Sequence, residues 1–163
     1  MEADTMLFED NIIFLILKVM ITCAGTFGMM GSTTKFRCVK EKPISIMIFA
    51  SYFLYVIISS YAIIYFFSYQ HLLRVFLLTI SCPAILLLHN MSDEPFPRLV
   101  FIRATHILVS LYIAGTITLI NTALHGTELS DILMRLLAYL LVILFDFHFV
   151  RPIYLDFITE IRK

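Results

Sequence analysis

Apolar residues in this chain fall in five long runs, not in the short alternations of a soluble fold, and most polar residues lie between the runs. The runs extend from Ile12 to Met30, Pro43 to Phe67, His71 to Leu88, Thr105 to Ala123 and Leu129 to Val150. A helix rises about 1.5 Å per residue, so about 20 residues match the ~30 Å hydrocarbon core of a bilayer. Each run is long enough to span, the third barely. The pattern predicts an all-α, polytopic helical membrane bundle of about five transmembrane helices, 1–163 forming a single transmembrane domain. Pro43 suits a first helical turn, Pro95 and Pro97 interrupt the chain ahead of the fourth run, and Thr127 or Ser130 suits the N-cap of the fifth.

The basic residues alternate in side. Lys35, Arg37, Lys40 and Lys42 lie between the first two runs, Arg98 and Arg103 before the fourth, and Arg151, Arg162 and Lys163 after the fifth, which is nine of the twelve. The N-terminal segment carries Glu2, Asp4, Glu9 and Asp10 and no Lys or Arg. Basic loops stay cytoplasmic, so the N-terminus is expected outside and the C-terminus in the cytoplasm. An acidic start without an A-x-A-like site does not resemble a cleaved signal peptide.

Composition narrows the class further. Hydrophobic residues make up 60% of the chain and charged ones 15%, with a mean hydropathy of +0.92, too little polar surface to cover a water-soluble domain. A net charge of zero without a basic stripe gives no sign of nucleic acid as a partner. Cys23, Cys38 and Cys82 show neither disulfide-framework nor zinc spacing. The five histidines include no pair at i, i+3 or i, i+4, so neither metal nor cofactor is expected. Phosphate-loop, GxSxG and HExxH motifs are absent, and His71 and Cys82 stand about 16 Å apart along one helix, too far for a nucleophile and its base. No enzyme activity is expected of this chain.

Several residues stand out within the runs. Ala24 and Gly28 form a small-xxx-small pair, and Gly25, Gly28 and Gly31 leave one side of the first helix nearly bare, favouring close packing against another helix of the bundle, with homodimerisation the alternative. Lys18 is an intramembrane charge that either snorkels outward, the favoured outcome, or pairs with a carboxylate in the bundle. Pro83 frees a carbonyl and kinks the third helix, with Ser81 and Thr79 near enough to satisfy it. Asp131 and Arg135 have the i, i+4 spacing of a local ion pair. The expected outer surface gathers Tyr65, Phe66, Tyr69 and His71 from one connection and His125, Glu128 and Asp131 from another as a ligand-binding set. At the far end, Arg151 marks the membrane exit and Pro152 starts a new helical turn, with 152–163 an amphipathic cytoplasmic segment. Its abrupt end at Arg162-Lys163 is what a fragment of a longer chain would show.

The basic loop from Lys35-Phe36-Arg37 to Lys42, Arg98-Leu99-Val100-Phe101, and Val150-Arg151-Pro152-Ile153-Tyr154-Leu155 leading to Ile161-Arg162-Lys163 resemble the N-terminal membrane region of GHKL-type, Agr-like sensor histidine kinases of Gram-positive bacteria. The acidic connection Asp93-Glu94 departs from that pattern. The resemblance implies a multi-pass protein of the bacterial cell membrane acting in two-component or quorum-sensing signal transduction. An extracellular peptide or small ligand would act through the fifth helix and the Arg151-Pro152 joint on a kinase part absent here. The alternative is a small transport or channel component, with Lys18, Pro83, Thr118 and Asn121 along a path.

Overall fold

The computed structural model describes residues 2–34, 42–92 and 94–153, with side-chain environments for most positions from Ile12 onward. The basic loop at 35–41 and the tail at 154–163, on which the amphipathic segment rests, lie outside the described residues. Among the described residues the chain is all-helical, with no strand. Helix α1 covers Glu2–Thr33, α2 Lys42–Phe66, α3 Tyr69–Phe76, α4 Cys82–Met91, α5 Phe96–Ala123 and α6 Glu128–Phe145. A π-helical segment, Leu77–Ser81, joins α3 to α4, and another, Asp146–Val150, extends α6.

Among the described residues, four helices are long and apolar enough to cross a membrane: Ile12–Thr33, Met47–Phe66, Phe96–Ala123 and Glu128–Ile153. The third expected span is instead a pair, Gln70–Phe76 and Leu78–Met91, bent by 52°. Taken as one span it makes a fifth. Pro83 sits in the first turn of α4, where a missing N–H costs little, and the π turn before it takes up the break. The carbonyls at this break are claimed by α2: Tyr55 Oη donates to the Thr79 carbonyl at 2.9 Å and Tyr52 Oη to that of Ile80 at 3.0 Å. The Ser81 hydroxyl, expected to help here, is buried with no hydrogen-bond partner among the described residues.

Two boundaries also differ from expectation. Helix α5 starts at Phe96, not Thr105, because Pro95 takes the extended N-cap conformation and Pro97 fits the first turn. Arg98 and Arg103 therefore lie inside the helix and not in a connection. At the other end, helical backbone continues from Glu128 through the π segment to Ile153. Pro152 thus lies within a helix and does not start one; as at Pro83, a π segment ends two residues before the proline.

Helix α1 packs against α2, α5 and α6. One of its faces carries Val19, Cys23, Phe27 and Met30, spaced for a helical stripe and meeting Tyr52, Val56 and Ile64 of α2. Another carries Gly25 and Gly28. A Cβ at Gly25 would overlap the Tyr139 ring and one at Gly28 the Ile143 side chain, so the absence of side chains lets α6 lie against α1. Ala24, by contrast, is exposed. The outer faces remain apolar: Leu54, Ile58, Leu108, Leu119, Leu133, Leu137 and Leu141 are all exposed. In water so much exposed apolar surface would drive aggregation, whereas acyl chains cover it without cost.

Helix direction follows from residue contacts. Along α1, Lys18, Gly25 and Gly28 meet Asp131, Tyr139 and Ile143 of α6 in the same order, so these two helices are parallel. Thr26 meets Ser110 while Phe27 and Met30 meet Arg103, so α5 is antiparallel to α1. The beginnings of α1 and α6 accordingly lie at one end of the bundle.

Candidate functional site: a polar seam between three helices

The residues buried on α6 are Asp131, Ile132, Arg135 and Tyr139, and those on α5 include Arg103, His106 and Ser110. Both helices thus turn polar groups inward and leucines outward, the inverse of a soluble helix and the arrangement lipid demands. With Lys18, Thr22 and Thr26 of α1 these groups form a seam through the bundle.

Its first part is an ion cluster. Lys18 Nζ lies 2.6 Å from Glu128 Oε2 and 3.0 Å from Asp131 Oδ2, so Lys18 does not snorkel. Both carboxylates come from α6, which packs against α1. Arg135 Nε donates to the same Asp131 oxygen at 2.8 Å, the local pair that the spacing predicts, and Arg135 Nη2 donates to Thr118 Oγ1 at 2.6 Å. Asp131 is 2% exposed, and its other oxygen, Oδ1, is buried with no hydrogen-bond partner among the described residues. The cluster joins α1, α5 and α6, two positive and two negative groups in balance. In low dielectric such charges interact strongly and tolerate the loss of a partner poorly.

One step further along, Tyr139 Oη donates to the Ser110 carbonyl at 3.1 Å, while Thr26 Oγ1 and Ser110 Oγ lie 2.9 Å apart. Beyond these comes Arg103, 1% exposed, which makes no ion pair among the described residues. Its guanidinium lies over the Phe27 ring, 5.1 Å from the centroid, with Nη1 3.6 Å from Met30 Sδ and Nε unpartnered. A polarizable sulfur and an aromatic face give a cation partial compensation. Between Arg103 and Ser110 on α5, His106 is buried with Nδ1 2.7 Å from the Ile102 carbonyl.

Other residues singled out by sequence divide into separate places. Tyr65 and Phe66 are exposed, Tyr65 stacking on Tyr61 at 5.8 Å and meeting Phe66 edge-on at 5.2 Å. Tyr69 begins α3, and His71 Nδ1 lies 3.1 Å from Ser68 Oγ. His125 is exposed at φ 51°, in the turn closed by Gly126 N–H donating to the Asn121 carbonyl at 2.8 Å. No hydrogen bond, ion pair or ring contact among the described residues joins the 65–71 group to His125, Glu128 or Asp131. The two acidic residues turn to α1 instead. Arg151 is exposed, its guanidinium 5.2 Å from the Phe147 ring centroid.

The transport path also separates: Thr118 belongs to the ion cluster, Asn121 hydrogen-bonds Ser130 in the α5–α6 turn, and Pro83 lies by Tyr52 and Tyr55. A fourth span starting at Thr105 leaves Arg103 in a connection and hides its place in the bundle. Leu99, Ile102, His106 and Ser110, set at helical spacing around it, were the available signal. No cluster of three or more His, Cys, Asp or Glu able to hold a metal occurs among the described residues. Compared with known proteins, the chain matches no family model, no curated protein and no solved structure.

Proposed function

We propose that this chain is the membrane-embedded sensing part of a multi-pass bacterial signalling receptor, with its acidic N-terminus outside. The supporting observation is the buried ion cluster in which Asp131 binds Lys18 and Arg135 through one oxygen. It sits at the start of α6 and six residues into the apolar span of α1 that begins at Ile12, hence toward the outer end in this topology, and it sets how these parallel helices meet. Any ligand that competes for one of its charges shifts the balance between two packings of α6 on α1, which is what signal transfer requires. Helix α6 then carries the change without interruption to Ile153. Resemblance to histidine-kinase sensor regions supports the same reading, with the kinase part on a continuation of the chain.

The second reading, a transport component, draws on Asp131, Tyr139 and His106 occurring in succession along the seam. Two measurements separate them. Reading the gene beyond codon 163 should reveal an open frame into a phosphoacceptor helix and an ATP-binding domain. In proteoliposomes the chain should pass no protons or small ions above background. A stop codon together with Asp131-dependent flux would replace sensing with transport.

A further inference from the structure

Lys18 and Arg135 do not spend their whole surface on Asp131; both also face a cavity of about 450 Å³. Its walls are apolar, with Val19 of α1, Phe76 of α3 and Leu108 and Leu111 of α5, and its charged lining residues are these two cations. The volume falls within the roughly 300–1,000 Å³ of small-molecule sites. Leu108 and Leu111 line it while remaining 67% and 52% exposed, so it opens sideways onto the lipid-facing surface. Along α5 it runs from Ala104 to Ala114, about 15 Å by helix rise, and the Arg135–Thr118 bond puts the charged end beside Ala114.

A long apolar trough open to the bilayer with two cations at one end selects its occupant by charge. An ammonium head meets no carboxylate among the lining residues, a neutral tail leaves the charged end unused, and an inorganic anion gains nothing from the walls. We propose that the cavity binds a single-chain amphiphile with a carboxylate head, the tail lying along Leu108 and Leu111 and the head on Lys18 and Arg135. Such a molecule partitions into the outer leaflet and enters laterally, its head about 9 Å below Ile12, six residues before Lys18. Its target within the cluster is the Lys18–Glu128 pair. Glu128 is half exposed at 52% and so more easily displaced than buried Asp131, and it is the first residue of α6. Release of Glu128 frees the start of α6, which is how the inference deepens the sensing reading on which its consequence rests.

The test is photolabelling of the full chain in neutral-lipid nanodiscs with diazirine-bearing lauric acid. Crosslinks should concentrate on residues 104–114 and 19–22, and free lauric acid should compete at least tenfold better than lauryl alcohol. Lys18→Gln should weaken labelling roughly tenfold through loss of a charge-assisted contact. Leu111→Trp, which fills the trough without touching the charges, should abolish it. Labelling spread over the outward leucines of α6, equal competition by lauryl alcohol, or competition by inorganic phosphate would each overturn the proposal. Maleimide reactivity of Phe149→Cys distinguishes this outcome from failure of the sensing reading. Cavity labelling without any change at position 149 retains the site and removes the relay. No cavity labelling, with Lys18→Gln still altering reactivity there, removes the amphiphile alone.

Discussion

Lys18 Nζ stands 3.0 Å from Asp131 Oδ2, the oxygen that Arg135 Nε reaches at 2.8 Å, so one buried carboxylate oxygen holds a cation from the first helix and another from the last. Replacing that carboxylate by an amide leaves two cations with Glu128, itself half exposed, as their remaining acid. Asp131→Asn should therefore cost about 3–5 kcal/mol, the usual loss on breaking a buried pair. Thermal unfolding in detergent measures it. A variant within 1 kcal/mol of the native chain would mean that water reaches the cluster.

Gly25 faces the Tyr139 ring at a distance that admits no Cβ. Gly25→Ala should destabilise the α1–α6 contact by about 1–3 kcal/mol, as overpacking does. Combined with Tyr139→Ala the penalty should largely vanish, a coupling that a double-mutant cycle reads directly. Additive losses would instead place the glycine against something other than this ring.

The two tyrosines at the α3–α4 break differ in burial, Tyr52 at 5% exposed and Tyr55 at 42%. Tyr52→Phe strands a carbonyl in a buried setting and should cost about 1–3 kcal/mol, whereas Tyr55→Phe should cost no more than about 1. Adding Pro83→Ala restores an N–H whose i−4 acceptor is the Thr79 carbonyl, and should reduce the Tyr55→Phe loss. Equal costs for the two tyrosines would show that neither carbonyl depends on its hydroxyl.

Arg103 carries a charge into the bundle with a ring and a sulfur as company. A shape-matched apolar replacement removes the desolvation cost, so Arg103→Met should be at least as stable as the native chain. Arg103→Ala should be less stable than Arg103→Met, through lost packing. A drop of more than about 2 kcal/mol for the methionine variant would reveal an anionic partner for Arg103 in the bilayer.

The proposed topology has its own check. In intact cells a membrane-impermeant maleimide should modify Gln70→Cys and His125→Cys, and should modify Arg151→Cys only after permeabilisation. Labelling of Arg151→Cys from outside, with Gln70→Cys and His125→Cys protected until permeabilisation, would invert the assignment of the ion cluster to the outer end.

Much of the architecture was legible in the order of residues. Runs of about 20 apolar residues locate helices because backbone groups in lipid have no partner but their own helix. Thr127 capping Ser130 N–H and the Asp131–Arg135 pair were equally readable, since both close within four residues. The start of α5 was misplaced by nine residues because Arg98 and Arg103 look like loop residues to a hydropathy count.

Tertiary structure alone decided which partner each polar group found. Lys18 met Asp131, Gly25 met Tyr139, Tyr55 met the carbonyl before Pro83, and Arg103 turned inward to Phe27. In water the apolar face of a helix announces the core; in lipid both faces are apolar, so composition distinguishes membrane from loop but not inside from outside. The inner face is set by small residues and polar groups that pair across helices far apart in the chain, and those pairings exist only once the helices have packed.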